Sequence, residues 1–350
     1  MTRLIEMLGI DLPILQAPMA GVSSPAMAAA VSEAGGLGAL AFGMAGVAGA
    51  RNMIADVRAR SNRAFNVNLF VHAPPPRDAV CEAGWIDHWR LVFAEFGAEP
   101  PAQLNDINTS FALDDAMLAM LIAERPAVVS FHFGLPDAAR IAALRMAGVT
   151  LLATVTNFAE ARAAQDAGID AIVAQGWEAG GHRGTFDPGA GDDRLGTLAL
   201  VRILARQCAL PVIAAGGIMD GAGIDAARAL GAAAVQLGTA YIACDESLAD
   251  HAYRAALAGD AAHHTMMTRV ISGRPARCLA NRFTTAGRTI APEAIPAYPV
   301  AYDLSKALNA AAKARGEPGF RAQWAGQGAP LARTMPAATL TRTLASEMKG

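Results

Sequence analysis

The stretch Ala167-Gly168-Ile169-Asp170-Ala171-Ile172-Val173-Ala174-Gln175-Gly176 decides the fold. Its first three residues have the form of a helix stop, where glycine takes a left-handed backbone that a Cβ would penalise. The run that follows is apolar at consecutive positions, as in a parallel strand buried on both faces. A glycine-dense turn then begins. The same unit recurs along the chain: Ala34-Gly35-Gly36, Ala147-Gly148-Val149 and Leu230-Gly231-Ala232 each put glycine just before an apolar run. The spacing predicts strands at 13–17, 37–42, 66–70, 127–131, 150–154, 171–175, 211–215 and 234–237. Alanine-rich helical stretches lie between them, with starts marked by Ser24-Pro25, Leu135-Pro136-Asp137 and Asp220. Eight strands alternating with helices predict an α/β fold, a (β/α)8 TIM barrel with a smaller, mainly helical cap domain. A doubly wound open sheet would want G-x-G-x-x-G after its first strand, and none is present.

Two stretches interrupt the rhythm. Residues 71–126 contain Pro74-Pro75-Pro76 and an aromatic-rich helix over 85–96. Residues 244–331 contain Met266-Met267 and Pro296-Ala297-Tyr298-Pro299-Val300-Ala301-Tyr302-Asp303. The expectation is a barrel built from 1–70, 127–243 and 332–350, with 71–126 and 244–331 forming a helical cap and substrate domain over its open end. A last helix over about 336–348 should return to the barrel wall.

Composition narrows the function classes. Of 350 residues 53% are hydrophobic and 17% charged, so a large core is available, and the net charge of −2 with no basic block argues against nucleic acid. Cys81, Cys208, Cys244 and Cys278 form no C-x-x-C pair and read as reduced thiols of a cytoplasmic protein, without disulfides or a zinc site. The first residues lack a signal-peptide core. The uncharged run 34–50 carries six glycines, a poor membrane span and a good strand–loop–helix. No membrane partner is expected, and the chain should be a monomer or homodimer.

In a barrel, chemistry belongs at the carboxyl ends of the strands. Those ends read Ala17-Pro18-Met19, Asn68, Ser130-Phe131-His132, Gln175, Ala215-Gly216-Gly217 and Gln236-Leu237-Gly238-Thr239. Glycines directly after the seventh and eighth strands, each opening a helix, suit a phosphate held by backbone N–H groups. The remaining ends are amides, hydroxyls and apolar groups, which suit a neutral flat ring better than a metal. No H-E-x-x-H or other ligand spacing appears, so no metal is expected. Flavin mononucleotide (FMN) fits this pattern. The candidate cofactor set is Ala17, Pro18, Met19, Asn68, Gln175, Gly180, Gly181, Gly216, Gly217, Gln236, Leu237, Gly238 and Thr239. Met19 and Asn68 would approach the ring, and Gln175 its polar edge or the ribityl chain. His182, on a glycine-dense turn just past the sixth strand, is placed like a catalytic base. His132 faces either the cofactor or the core. Arg183 is either a rim charge or an oxyanion partner.

The motifs QAPMAG (16–21), AAAVSEAGGLGA (28–39), NVNLF (66–70), SFHFG (130–134), QGWEAGGHRG (175–184), PVIAAGGIMDG (211–221), VQLGT (235–239) and SGRPAR (272–277) occur in this order. With AYPVAYDLSKAL (297–308) and FRAQWAGQGAPLAR (320–333), the chain resembles the class I nitronate monooxygenases, formerly called 2-nitropropane dioxygenases. The resemblance implies an FMN-bearing barrel that oxidises alkyl nitronates with O2 to a carbonyl compound plus nitrite. It also implies that Asn68, Gln175, Gly180, Gly217, Gln236, Gly238 and Thr239 hold FMN while His182 sits by the substrate. There the histidine would either hydrogen-bond the nitro oxygens or take the α-proton of a neutral nitroalkane. Lys306 is one of three lysines against 26 arginines. With Tyr298, Tyr302 and His132 it makes up the candidate substrate-binding set, although an exposed helix lysine beside packing tyrosines would give the same pattern.

Two other readings compete. One is an NAD(P)H-dependent FMN oxidoreductase, a quinone or enoyl-thioester reductase on the same barrel, which fast flavin bleaching by NADH would favour. The other is a flavin-binding protein without turnover. An inosine-monophosphate-dehydrogenase-like barrel would need a nucleophilic cysteine after the sixth strand, and residues 176–196 contain none.

Overall fold

The computed structural model describes residues 2–349. Eight parallel strands follow the predicted order: β1 (Ile14–Gln16), β2 (Gly38–Ala41), β3 (Phe65–Phe70), β4 (Val128–His132), β5 (Thr150–Val155), β6 (Ala171–Gln175), β7 (Val212–Ala215) and β8 (Ala234–Leu237). From β2 to β8 each strand pairs with the next, and β8 pairs with β1 through Ile14–Val235, Leu15–Gln236 and Gln16–Leu237. A single parallel bridge, Leu15 to Leu37, closes the ring. The Gln16 N–H donates to the Leu37 carbonyl at 2.9 Å, and the Leu37 N–H to Ile14 at 3.0 Å. The fold is the TIM barrel that the glycine-stopped repeat predicts.

The helices are α1 (Thr2–Leu8), α2 (Pro25–Glu33), α3 (Val47–Arg60), α4 (Ala79–Glu95), α5 (Asp115–Glu124), α6 (Ala138–Met146), α7 (Phe158–Asp166), α8 (Thr197–Gln207), α9 (Gly221–Ala229), α10 (Thr239–Ile242), α11 (His251–Ala258), α12 (Arg282–Ala286), α13 (Val300–Ala314) and α14 (Ala337–Glu347). Ser24, Asp137 and Asp220 cap their helices by accepting the N–H of Met27, Arg140 and Gly223 at 2.8–3.0 Å, satisfying donors that a helix start leaves open. The glycine stops behave as read: Gly35, Gly148, Gly168 and Gly231 take φ of +93°, +80°, +82° and +107°. Inside the barrel, Leu15, Leu37, Val128, Leu152, Val173 and Ile213 pack with Leu4, Leu8 and Ile10, so α1 and its loop fill the amino end. Open space is left to the carboxyl end. Helix α14 packs between α2 and α9, completing the outer ring.

The first interruption is shorter than expected. Helix α5, counted above with the insertion 71–126, buries Met117, Met120 and Leu121 in the barrel's own core and lies between α3 and α6. The wall outside β3 and β4 needs a helical cover like every other βα unit, and α5 supplies it with Met117, Met120 and Leu121 facing inward. A second apolar core lies outside the barrel. There Trp85, Trp89 and Phe93 of α4 meet Val270, Phe283, Leu304, Leu308 and Phe320, so both interruptions contribute to one cluster. This region also holds a small antiparallel sheet of β9 (Thr265–Thr268) and β10 (Ala276–Leu279), joined by the two residues Gly181–His182. Among the described residues no helix is long and apolar enough to cross a membrane.

Candidate active site

The carboxyl ends of the strands open into a cleft enclosing about 1320 Å³, open water at its mouth included. Every predicted cofactor residue lines it: Ala17, Pro18, Met19, Asn68, Gln175, Gly180, Gly181, Gly216, Gly217, Gln236, Leu237, Gly238 and Thr239. His132, His182 and Tyr302 line it as well. No Asp, Glu, Lys or Arg side chain is among the lining residues. The cleft therefore carries no fixed charge, and most of its lining is apolar. An anion entering it meets no carboxylate to repel it, in surroundings where electrostatic effects are stronger than in water.

One wall is built for close backbone approach. Gly216 and Gly217 take φ of +118° and +73°, conformations that side chains rarely adopt. At Gly180 a Cβ would lie 2.5 Å from the Gly326 nitrogen, so only glycine lets this loop rest against residues 325–326. Gly238 opens α10 without a side-chain cap, which leaves first-turn N–H groups for a ligand. Thr239 Oγ1 accepts the Gly326 N–H at 2.9 Å, and its own hydrogen remains to be donated. A monophosphate fits these donors, and neutral strand ends with Met19 and Pro18 fit a flat ring. The residues present are thus compatible with FMN.

His132 and His182 line the same cleft. The His182 carbonyl accepts from Gln175 Nε2 at 2.9 Å and from His132 Nε2 at 3.2 Å. Because a carbonyl only accepts, His132 carries its proton on Nε2. Gln175 Oε1 accepts the Gly184 N–H at 2.8 Å, so this amide's main task is to hold the 182–184 turn. The His182 ring places Nε2 2.8 Å from Ser272 Oγ, and it is ringed by Phe133, Tyr298 and Trp324 at 5.0–5.5 Å between centroids. Burial, then the neighbouring His132 and Arg274, pushes the His182 pKa down to about 3. Burial and Arg274 take His132 to about 4. Both rings are neutral at physiological pH.

Asn68 Nδ2 donates to Ser130 Oγ at 2.9 Å, which turns its carbonyl oxygen free of that partner. Arg183 is neither a rim charge nor an oxyanion partner: its side chain is 1% exposed, paired with Asp192 at 2.8 Å and donating to the Gln175 carbonyl, a brace behind β6. Tyr298 is buried behind the wall. Its ring is 5.5 Å from His182 and its hydroxyl accepts from Asn108 Nδ2 at 2.9 Å, but it does not line the cleft. Lys306 is exposed on α13, with its ammonium 5.1 Å from the Tyr302 ring centre, and it too is outside the lining.

Some lining residues carry no local signal in the sequence. Asn108 and Trp324 come from the two interruptions, while Phe70, Ser130 and Thr154 sit at strand ends that read as hydroxyls and apolar groups without a role for each residue. Phe133 takes φ +76°, unusual for a bulky residue, and its ring lies 4.1 Å from the guanidinium carbon of Arg274. Arg274 is 3% exposed. It donates to the Thr185 and Phe186 carbonyls and has an unpartnered Nε, which leaves a buried positive charge behind the histidine wall. Among the described residues no cluster of metal-binding side chains occurs.

A closed parallel barrel with a neutral, glycine-walled cleft at its carboxyl mouth points to the flavin-type oxidoreductases, and comparison with known proteins agrees that the chain is such an enzyme. It belongs to the nitronate monooxygenase family, whose sequence profile matches residues 1–347. The nitronate monooxygenase of Paraburkholderia phytofirmans is 58% identical over 99% of this chain and 94% of its own length. That of Pseudomonas aeruginosa is 53% identical over 99% of both chains. Among solved structures, the nitroalkane oxidase of Streptomyces ansochromogenes superposes with a TM-score of 0.90 at 42% identity, over 98% of this chain and 97% of that one. FabK of Thermotoga maritima follows the same barrel with a TM-score of 0.75 at 29% identity, over 99% and 95%.

Proposed function

We propose that this chain binds FMN and oxidises alkyl nitronates, such as propionate 3-nitronate, with O2 to a carbonyl compound plus nitrite, and so detoxifies nitronates. The observation that carries this reading is that one uncharged cleft is lined both by the glycines at the strand ends and by a neutral His182. Gly216, Gly217, Gly238 and Thr239 would hold the phosphate, Ala17, Pro18 and Met19 would pack on the ring, and Asn68 and Gln236 would meet its polar atoms. When bound, FMN supplies the electron acceptor for the substrate and the centre at which O2 is reduced.

The protein's own part is placement and charge. A nitronate is a delocalised anion, and the cleft admits it without a carboxylate nearby. The Arg274 guanidinium behind Phe133 offsets its charge from outside the wall. His182 would take the α-proton when the substrate arrives as the neutral nitroalkane, or hydrogen-bond the nitro group. Tyr302 and Trp324 from the second interruption and Asn108 from the first reach the cleft, which supports a cap that limits water around the substrate. The four cysteines are unpaired, in keeping with a cytoplasmic enzyme that acts as a monomer or homodimer on small molecules.

The test is the His182→Asn variant with its flavin content measured. If His182 is the base, turnover of neutral nitroalkanes collapses and turnover of preformed nitronates largely survives. If it anchors the anion, nitronate turnover also falls, by about 1.5–3 kcal/mol. Wild-type rates on both substrates with flavin bound would remove His182 from the reaction. Mass spectrometry of the released cofactor decides between FMN and FAD, and rapid bleaching by NADH would favour the reductase reading.

A further inference from the structure

The segment Ser272-Gly273-Arg274-Pro275-Ala276-Arg277 lines no part of the cleft, yet it is tied to His182 by both backbone and side chain. Strand β10 pairs Ala276 with His182 and Arg277 with Gly181, and the Arg183 N–H donates to the Pro275 carbonyl at 2.8 Å. Ser272 is fully buried, with its Oγ 2.8 Å from His182 Nε2. Gly273, at φ +88°, allows the turn that brings Ser272 to the ring. A Cβ there would sit 2.3 Å from the Pro296 carbonyl oxygen.

We propose that Ser272 is a positioning residue that sets the His182 tautomer, accepting a hydrogen bond from Nε2–H and leaving Nδ1 as the unprotonated nitrogen of a ring that lines the cleft. Ser272 Oγ has three neighbours: His182 Nε2 at 2.8 Å, the Arg274 carbonyl at 3.3 Å and the Arg274 N–H at 3.4 Å. The carbonyl only accepts and the amide only donates, while the hydroxyl has one proton and two lone pairs. If the hydroxyl donates to the carbonyl, its lone pairs accept from both the amide and His182 Nε2–H, and all three contacts are made. If it donates to His182 instead, the carbonyl contact is lost. The first arrangement leaves fewer unpaired polar groups in a dry interior.

The consequence separates the two roles open to His182. A neutral ring whose only N–H is held by Ser272 has no donor for a nitronate oxygen, so its task is to accept the α-proton at Nδ1. Arg274 and the backbone are left to offset the anion. This inference rests on the reading of His182 as a substrate-facing residue, and its first test, the protonation state of the ring, is read without turnover.

The experiment is long-range 1H–15N correlation of the flavin-loaded protein with 15N-labelled histidine, the His182 signals being those missing from His182→Asn. A pyrrole-type Nε2 and a pyridine-type Nδ1 are expected in the wild type. In Ser272→Ala with flavin retained, the His182 signals should move toward a mixture of tautomers. kcat on a neutral nitroalkane should fall by about tenfold or more, with KM and turnover of preformed nitronate little changed. A wild-type spectrum with the proton on Nδ1 overturns the proposal even if the alanine variant does not fold. So does a folded Ser272→Ala with unchanged His182 signals and rates. If His182→Asn turns over neutral nitroalkanes normally while the wild-type spectrum is as expected, the functional reading fails and the tautomer assignment stands.

Discussion

At the scale of single residues, the two walls of the cleft make separable demands. Gly217 has φ +73° and a neighbour, the Glu178 side chain, at 3.4 Å from where its Cβ would sit. Gly217→Asp adds a carboxylate, strains the turn and repels a phosphate, so the purified variant should carry little flavin by absorbance. A fully yellow Gly217→Asp protein would put the phosphate elsewhere. His182 makes a different demand. Burial, with His132 and Arg274 beside it, holds the ring neutral down to about pH 3, below the ordinary histidine range. The kcat/KM profile on a preformed nitronate should therefore show no acid limb near pH 6.5 that His182→Asn removes. These residues were legible because glycines and a histidine after a strand are local signals. Ser272 and Arg274 were not: their meaning comes from contacts with residues about 90 positions earlier in the chain.

At the scale of elements, the sixth βα unit shows how the mouth is kept rigid. Glu178 accepts the Thr197 N–H at 2.8 Å and Thr197 Oγ1 at 3.0 Å, tying the loop after β6 to the start of α8. Arg183 and Asp192 form the matching brace, with the arginine side chain 1% and the aspartate 19% exposed. Asp192→Ala leaves the guanidinium buried without its partner and should lower unfolding free energy by about 2–4 kcal/mol in chemical denaturation. A loss within about 0.5 kcal/mol would mean the pair is a surface one in solution. All eight strands were readable because consecutive apolar residues and glycine stops are written within each unit. The small sheet was not. Gly181–His182 looks like a loop until β10 arrives from residue 276 to pair with it, and no local periodicity encodes that partner.

At the scale of the whole molecule, neutral histidines at the core of the site make stability depend on pH. His72 joins His132 and His182: it is 3% exposed, its ring stands 5.0 Å from Tyr298, and its Nδ1 has no partner. Burial takes its pKa down to about 4, although Asp106 pulls the other way. Each of these groups titrates near 6.5 when unfolded and only near 3–4 when folded, so between those values the unfolded chain binds more protons. The sign follows: stability is full above about pH 6.5 and falls as the pH drops toward the folded values. Glu160, raised by burial, opposes this as a single group. Asp192 and Glu347, lowered by their arginines, add to the loss only in the carboxylate range. From pH 6 to pH 5 the three histidines together should remove about 3–4 kcal/mol, just over 1 kcal/mol each. His72→Gln replaces the imidazole with a non-titrating amide that can still hydrogen-bond, at a position outside the cleft lining. Its unfolding free energy, followed by denaturant titration across this range, should fall with a slope smaller than wild type by about one third. An unchanged slope would mean that His72 protonates freely in the folded protein, and that water reaches the space behind Tyr298.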